Sequence, residues 1–127
     1  MHIAKLALVV RDYDEAIDWY TRCLGFALVE NVDMGNGKRW VVVAPTGARG
    51  AALLLAKAAN AQQEAAIGNQ SGGRVFLFLE TDSFDRDHAR MVSEGVHFRE
   101  APRSEAYGKV AVFEDLHGNA WDLIGPA

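Results

Sequence analysis

The sequence lacks several features that would each indicate a particular class of protein. It has one cysteine, Cys23, among 127 residues, so an internal disulfide is excluded and a reducing, cytoplasmic setting is expected. It has no run of lysines or arginines, and its formal net charge is −4. Nucleic acid and membranes are therefore not expected as partners. The apolar run that ends at Val10 is too short to span a membrane, and no signal-peptide cleavage pattern follows it.

Motifs for nucleotide binding and nucleophilic catalysis are also missing. The glycine-rich stretch 67–73 does not contain the G-x-x-x-x-G-K-[ST] pattern, so we interpret it as a linker or as a flap over a pocket. Cys23 has no general base or cationic partner in the sequence, which favours a buried structural thiol over a nucleophile. The histidines share no ligand spacing such as H-x-x-x-H, which favours surface or edge positions over a metal site. They are His2, His88, His97 and His117.

What the chain does contain is a repeat. Half of its residues are hydrophobic and 24% are charged, which is typical of a globular domain. Residues 4–30 and 73–100 each read as an apolar strand, an acidic cap, a helix, a glycine and a second short strand. Because a duplicated module tends to place equivalent walls around a shared space, the repeat predicts a cavity. The matching pairs are Asp12 and Asp82, Gly25 and Gly95, and Glu30 and Glu100.

The pattern of strands and helices predicts an α+β fold made of two β-α-β-β-β modules. The first module has strands over 3–10, 26–32, 38–44 and 51–56, a loop over 45–50, and a helix capped by Asp12 and stopped by Gly25. The second has strands over 74–80, 96–100, 109–114 and 120–124, and a helix over 83–94 capped by Asp82. We expect one domain over 1–127, with modules at about 1–57 and 73–127. The connector at about 58–72 could contain one helical turn.

Two segments carry a resemblance to a known family. The closing segment FEDLHGNAWDLI (113–124) and the opening segment VRDYDEAIDWYTRCLGF (10–26) resemble the vicinal oxygen chelate superfamily of glyoxalases, bleomycin-resistance proteins and extradiol dioxygenases. The resemblance implies a curled mixed sheet around a cavity, a homodimer and, in the enzymes, one divalent metal in the cup. The residues that match the closing motif are Asp115, Gly118, Asn119, Asp122 and Leu123.

The metal ligands that the resemblance implies are mostly replaced here. Position by position they fall on Lys5, Leu54, Arg74 and Asp122. Of these, Asp122 alone suits a divalent metal, because lysine must first lose a proton, arginine does not do so, and leucine has no donor. We therefore expect no metal and no other cofactor, and the metal-dependent glyoxalase reaction is disfavoured.

The same positions predict a ligand site. Because side chains alternate along a strand, Lys5 and Arg74 would face the cavity with Phe76 and Phe78. Ala7 and Val9 would join Lys5 there, and Ala120 and Ile124 would join Asp122. Arg74 could clamp a carboxylate or phosphate, or Lys5, Arg74 and Asp122 could form a buried ion-pair cluster. Aromatic side chains add alternatives of their own: Trp40 is assigned to the pocket or the core, Tyr107 to the cavity mouth or the surface, and Trp19 and Trp121 to packing.

Three functions are compatible with these residues. The first is metal-independent binding of a small organic ligand. The second is a metal-dependent lyase, isomerase or dioxygenase of the same superfamily. The third is a metal-free enzyme that binds an anion through Arg74 and uses Asp122 as a base. Burial in an apolar cup would raise the pKa of Asp122, and the cations Arg74 and Lys5 would lower it.

Overall fold

The computed structural model describes residues 1–47 and 49–126. Residue 48, in the loop predicted over 45–50, lies outside them. The chain divides into two compact units, Met1–Ile67 and Gly68–Ala127, and each is described by itself. In the described part of the chain, no helix has both the length and the apolar character needed to cross a membrane.

Unit 1 is a four-stranded mixed sheet with one long helix. Its strands are ordered β1-β4-β3-β2, with β1 parallel to β4 and the other pairs antiparallel. The predicted β-α-β-β-β order is confirmed, and the connector contributes a short extra helix. The elements are β1 (Lys5–Val10), α1 (Tyr13–Cys23), β2 (Ala27–Gly35), β3 (Lys38–Ala44), β4 (Ala52–Lys57) and α2 (Ala61–Ala66).

The ends of α1 are set by the residues that the sequence indicated. The Asp12 side chain accepts a hydrogen bond from the backbone N–H of Glu15 at 2.8 Å, which satisfies one of the unpaired donors of the first turn. At the other end, Leu24 is the C-cap, and Gly25 follows with φ of 69°, a conformation that favours glycine. Both predictions for this helix are confirmed.

The core of unit 1 lies between α1 and one face of the sheet. Arg39 on β3 reaches Asp14 on α1 at 2.9 Å and lies over the Tyr13 ring, so α1 covers the face that Arg39 shares with Val41 and Val43. Val41 and Val43 are fully buried there. The remaining side chains of β1, β3 and β4 point to the opposite face, because they alternate along each strand.

Unit 2 repeats this arrangement. Its strands are ordered β5-β8-β7-β6, with β5 parallel to β8 and the other pairs antiparallel. This is the same topology as in unit 1, so the duplication and the α+β class are confirmed. The elements are β5 (Val75–Glu80), α3 (Phe84–Ser93), β6 (Arg103–Glu105), β7 (Gly108–Glu114) and β8 (Ala120–Gly125).

Two local predictions for unit 2 are wrong. The strand predicted over 96–100 is reduced to one isolated bridge, Phe98 to Phe113, and the third strand lies further along, at Arg103–Glu105. The chain bends at 99–100, and Pro102 has no N–H to donate to a ladder. The N-cap of α3 is Ser83 and not Asp82.

Candidate functional site

The face of unit 1 that points away from α1 brings together a tryptophan and a carboxylate. Trp40 on β3 lies opposite Val32 on β2, and Glu30 lies opposite Val42 in the neighbouring row. The indole Nε1–H of Trp40 donates a hydrogen bond to the Glu30 carboxylate. This bond holds the Glu30 carboxylate at the edge of the Trp40 ring. From the sequence, Trp40 was assigned either to the pocket or to the core.

The rest of this face is formed by small and aliphatic side chains. Ala7 on β1 lies opposite Leu54 on β4, and Leu54 lies opposite Val42 on β3. Lys5 begins β1, is exposed, and lies opposite Ala52. Lys5 therefore shares the face of Ala7, as the alternation predicted.

In unit 2, the face away from α3 brings together Phe78 and Asp122. Phe78 on β5 lies opposite Asp122 on β8, which in turn lies opposite Val112 on β7. The opposite face carries Phe113 and Trp121, whose rings stack 5.7 Å apart and which are buried. Phe78 is 64% exposed, so a large apolar ring lies in water directly beside a carboxylate.

Arg74 and Phe76 lie outside this pairing. The register of β5 shifts between Val75 and Leu77, and Phe76 lies in that irregularity. Its ring meets the edge of the Trp121 ring with the centroids 6.4 Å apart. Arg74 is exposed in the bend before β5, where its N–H donates to the Ser71 carbonyl at 3.4 Å.

Asp122 has an unusual environment for a carboxylate. Its Oδ1 atom is buried and has no hydrogen-bond partner among the described residues. The pKa of Asp122 is raised above its ordinary value, first because burial disfavours the charged form and then because Glu100 lies nearby, while Arg103 opposes the shift. The carboxyl group is therefore set up to accept or hold a proton.

Arg103 is a member of this site that sequence reasoning missed. Its Nε donates to Glu100 at 3.2 Å, and its Nη1 donates to Glu105 at 2.5 Å. The pKa of Arg103 is raised, chiefly by its hydrogen bonds with Glu105 and then Tyr107, and Tyr107 is 65% exposed. The alternating charges of Arg103 and Glu105 were a signal for this strand, but the strand itself had been expected at 96–100.

Most of the closing motif has a structural role. Oδ1 of Asp115 accepts the backbone N–H groups of His117 and Asn119, both at 3.0 Å. Oδ2 accepts the Asn119 side chain at 2.9 Å and the Trp121 indole at 3.3 Å. The Asn119 side chain in turn accepts the backbone N–H of Gln70 at 3.1 Å. These bonds hold the turn between β7 and β8 and attach the preceding connector to it.

The donor set at the implied ligand positions does not fit a divalent metal. Among Lys5, Leu54, Arg74 and Asp122, a single carboxylate has the right chemistry. Residues 1–47 and 49–126 contain no group of three or more His, Cys, Asp or Glu side chains that could hold a metal ion. His88, one of the four histidines, lies instead among aromatic rings. Its ring is 5.6 Å from that of Phe84 and 4.4 Å from that of Phe98, measured between centroids.

Two open clefts of unit 1 lie apart from these faces. One, of about 450 Å³, is at the tip of the β2–β3 hairpin and is lined by Asn31, Asp33, Gly35, Asn36, Gly37 and Arg39. The other, of about 300 Å³, is lined by Arg11, Lys57, Ala58, Glu64 and Ile67. Neither lining includes a residue that the sequence predicted for the site. The predicted site residues of unit 1 lie on the sheet face and not in these clefts.

Comparison with known proteins agrees with the fold and the motifs. The model of the glyoxalase/bleomycin resistance protein/dioxygenase superfamily matches residues 2–123. An uncharacterised protein of Shewanella frigidimarina is 55% identical over 123 residues, covering 96% of this chain and 91% of its own.

Two solved structures show the same fold. The crystal structure of TnmS3, an antibiotic binding protein from Streptomyces sp. CB03234, has a TM-score of 0.79 at 30% identity and covers 100% of this chain and 97% of its own. The crystal structure of UcmS2 has a TM-score of 0.84 at 24% identity, with coverage of 98% and 97%, a likeness that concerns the fold. The chain belongs to the glyoxalase/bleomycin resistance protein/dioxygenase superfamily.

Proposed function

We propose that this protein binds a small organic ligand without a metal. The observation that carries the proposal is that, in each unit, the sheet face opposite the helix places an aromatic ring beside a carboxylate. The pairs are Trp40 with Glu30 and Phe78 with Asp122. An apolar wall with a few polar groups is the usual composition of a small-molecule site.

Phe78 gives this proposal an energetic basis. Its ring is 64% exposed, and removal of apolar surface from water contributes about 25 cal/mol per Å². Binding of a flat ligand against the ring would be stabilised by this free energy, and Asp122 beside the ring could accept a hydrogen bond from the ligand. TnmS3, a relative by structure, is an antibiotic binding protein, which supports the same kind of function here.

Lys5, Arg74 and Tyr107 are proposed as further ligand contacts. Lys5 and Arg74 are exposed cations, each close to the start of the first strand of its unit. Either one could bind an anionic substituent of the ligand. Tyr107 is exposed just before β7 and hydrogen-bonds with Arg103, so its hydroxyl is within reach of the site in unit 2.

We also propose a homodimer in the cytoplasm. All nine residues of the edge strand β2 are exposed, and Leu28, Val29, Val32 and Met34 are among them. An unpaired edge with exposed apolar side chains favours association. Cys23, the single cysteine of the sequence, is buried, which suits a reducing compartment.

A second candidate is a metal-free enzyme with Asp122 as the base. The buried Oδ1, which has no partner among the residues that the structure describes, and the raised pKa favour this role, because a base works best when its pKa approaches the operating pH. The cation that acts on Asp122 is Arg103. If turnover of a substrate were found and persisted unchanged in Asp122→Asn, this candidate would be excluded.

Native mass spectrometry of the purified protein tests the main proposal. We expect a dimer whose mass contains no metal, with an organic ligand retained in a fraction of the molecules. One divalent metal per chain would overturn metal-independent binding and favour a lyase or dioxygenase. A titration with quinoline, followed by NMR, gives a second test, because signals of Trp40 or Phe78 should shift in the wild type.

A further inference from the structure

We infer that the Phe78–Asp122 pair of unit 2 is a subsite for a protonated aromatic amine. This inference rests on the proposed ligand-binding function and names the chemical class of the ligand part that this face would take. The pair lies wholly within unit 2, on the sheet face opposite α3.

The ring of Phe78 provides an accessible apolar surface. It is 64% exposed, and β5, which carries it, is an edge strand of the sheet β5-β8-β7-β6. Asp122 lies opposite Phe78 on β8, and Ile124 lies opposite Glu80. Because side chains alternate along β5, Glu80 is on the same face as Phe78. A planar group placed against the ring would therefore have a carboxylate on each of two sides.

Both carboxylates are available to a ligand. Among the described residues of unit 2, Oδ1 of Asp122 has no hydrogen-bond partner, and the ion pairs include neither Asp122 nor Glu80. Glu80 is exposed and Asp122 is half-buried. Their negative charges are therefore not neutralised by direct contact with a described cation of this unit.

Arg103 is the cation that acts on Asp122, and its charge is offset. It lies on β6, two strands from Asp122. Its side chain donates hydrogen bonds to the carboxylates of Glu100 and Glu105, and Glu100 acts on Asp122 with the opposite sign to Arg103. Because two carboxylates and one guanidinium leave one negative charge, this group does not make the face positive.

Two further arginines of unit 2 lie apart from the pair. The backbone N–H of Arg99 donates to the carbonyl of Val112 on β7, and its side chain donates to Glu114 at 2.8 Å, so its charge is also paired. Arg74 precedes Phe78 by four residues, or roughly 13 Å of extended chain. Over that distance salt in solution screens much of its charge.

The arrangement selects a cation that can also donate a hydrogen bond. The face of a phenyl ring attracts cations, and a hydrogen bond to a carboxylate is stronger when the donor is charged. A protonated aromatic amine offers a flat ring, a positive charge and N–H groups together. Its N–H would give the Asp122 carboxylate a hydrogen bond that the described residues do not supply to its Oδ1 atom.

Four probes of similar size test the inference. At pH 7.5, 4-aminoquinoline is a cation with N–H donors, N-methylquinolinium is a cation without them, quinoline is neutral and 1-naphthoate is an anion. Binding at about 0.1 M salt is followed by the ring signals of Phe78 in ¹H–¹³C NMR spectra, which are assigned by their loss in Phe78→Ser. We expect N-methylquinolinium to bind about threefold more tightly than quinoline, the size of an exposed cation–π contact. We expect 4-aminoquinoline to bind about tenfold more tightly again, the size of a hydrogen bond to a charged group, and 1-naphthoate to bind most weakly.

Two variants isolate the carboxylate. Asp122→Asn keeps an acceptor but removes the charge, so the advantage of 4-aminoquinoline over N-methylquinolinium should fall to about threefold, the size of a neutral hydrogen bond. Asp85→Asn is the matched control. Asp85 is on α3, where its carboxylate pairs with Lys109 at 2.8 Å, and its replacement makes the same change in net charge. The tenfold advantage should survive in that control.

The outcomes separate this inference from the proposed function. An advantage of 4-aminoquinoline that Asp122→Asn reduces and Asp85→Asn retains supports the subsite. Equal binding of all four probes, an advantage that Asp122→Asn leaves unchanged, or an equal loss in both variants overturns it while ligand binding stands. Probes that shift the signals of Trp40 and not those of Phe78 also overturn it and leave ligand binding in place. If no probe at millimolar concentration shifts any signal of the wild type, the inference fails and the proposed function loses its support as well.

Discussion

Replacing Asp115 by asparagine should strongly destabilise unit 2, although it changes a single atom. The carboxylate of Asp115 is 5% exposed, and each of its oxygens accepts two N–H groups. An asparagine has one acceptor oxygen, and its NH₂ group is a donor. Whichever way the amide turns, donors that now meet an oxygen would meet another donor.

The structure sets the size of this effect. If the NH₂ group takes the place of Oδ2, the Asn119 side chain and the Trp121 indole both lose their acceptor. Each buried donor left unsatisfied costs about 1–3 kcal/mol, so two of them predict a loss of about 3 kcal/mol in the free energy of unfolding. For a chain of this length, that corresponds to a Tm lower by about 10 °C.

Asp122→Asn is the matched control, seven residues further along. Within residues 1–47 and 49–126, the buried Oδ1 atom of Asp122 has no hydrogen-bond partner, so no acceptor is lost there. The pKa of Asp122 is raised in the folded protein. Above this pKa the carboxyl group is charged, and its charge lowers the free energy of unfolding. This destabilisation disappears as the pH falls through the folded-state pKa. At pH 7.5, Asp122→Asn should therefore be as stable as the wild type or more stable, and any gain should vanish at low pH.

Urea unfolding of the wild type and both variants, followed by tryptophan fluorescence and circular dichroism, measures the difference. A loss for Asp115→Asn of less than about 1 kcal/mol would show that the turn can rearrange or hydrate its donors, and would refute the reasoning. A loss for Asp122→Asn at pH 7.5 would contradict the assignment of an unpartnered, penalised carboxylate.

Four further substitutions, one of them a matched control, test other parts of the fold. Gly68→Ala should lower stability by more than 2 kcal/mol, because a Cβ there would lie 2.2 Å from the His117 carbonyl oxygen. Gly72→Ala, with φ of 66° and open space, should cost only about 1 kcal/mol; equal losses in thermal melts would contradict this account. Asp12→Ala should cost about 1 kcal/mol through the lost helix cap, and unchanged helix stability in hydrogen exchange would refute it. Phe78→Ser should leave the melting temperature within about 2 °C, because surface changes are usually small, while weakening binding of quinoline; a large drop in stability would show that the ring is part of the core.

Sequence signals predicted the fold well where the interactions join residues that are close together in the chain. Asp12 and Gly25 bound α1 because a capping side chain and a positive φ act within one turn of the helix. The repeat predicted the common topology of both units because each module carries the same order of apolar strands and helix. The prediction of a strand at 96–100 was wrong. The sequence shows the apolar character of this segment, but it does not show the bends at 99–100 or the pairing partner on β7.

The site was predicted in part, for the same reason. Alternation along β1 placed Lys5 and Ala7 on one face, and Phe78 shares a face with Asp122. The irregularity at Phe76 was invisible in the sequence, since a register shift depends on the neighbouring strand. Arg103 was missed because its interaction with Asp122 joins residues on different strands.

The sequence by itself determined the duplicated module and the α+β class. These follow from residue types and short spacings alone. The tertiary structure decided what the two carboxylates of the closing motif do. Asp115 is surrounded by N–H donors and stabilises a turn, whereas Asp122 has a buried oxygen that meets no donor in the described part of the chain. The difference arises because hydrogen-bond partners are supplied by the packing of strands and turns, which the residue type alone does not specify.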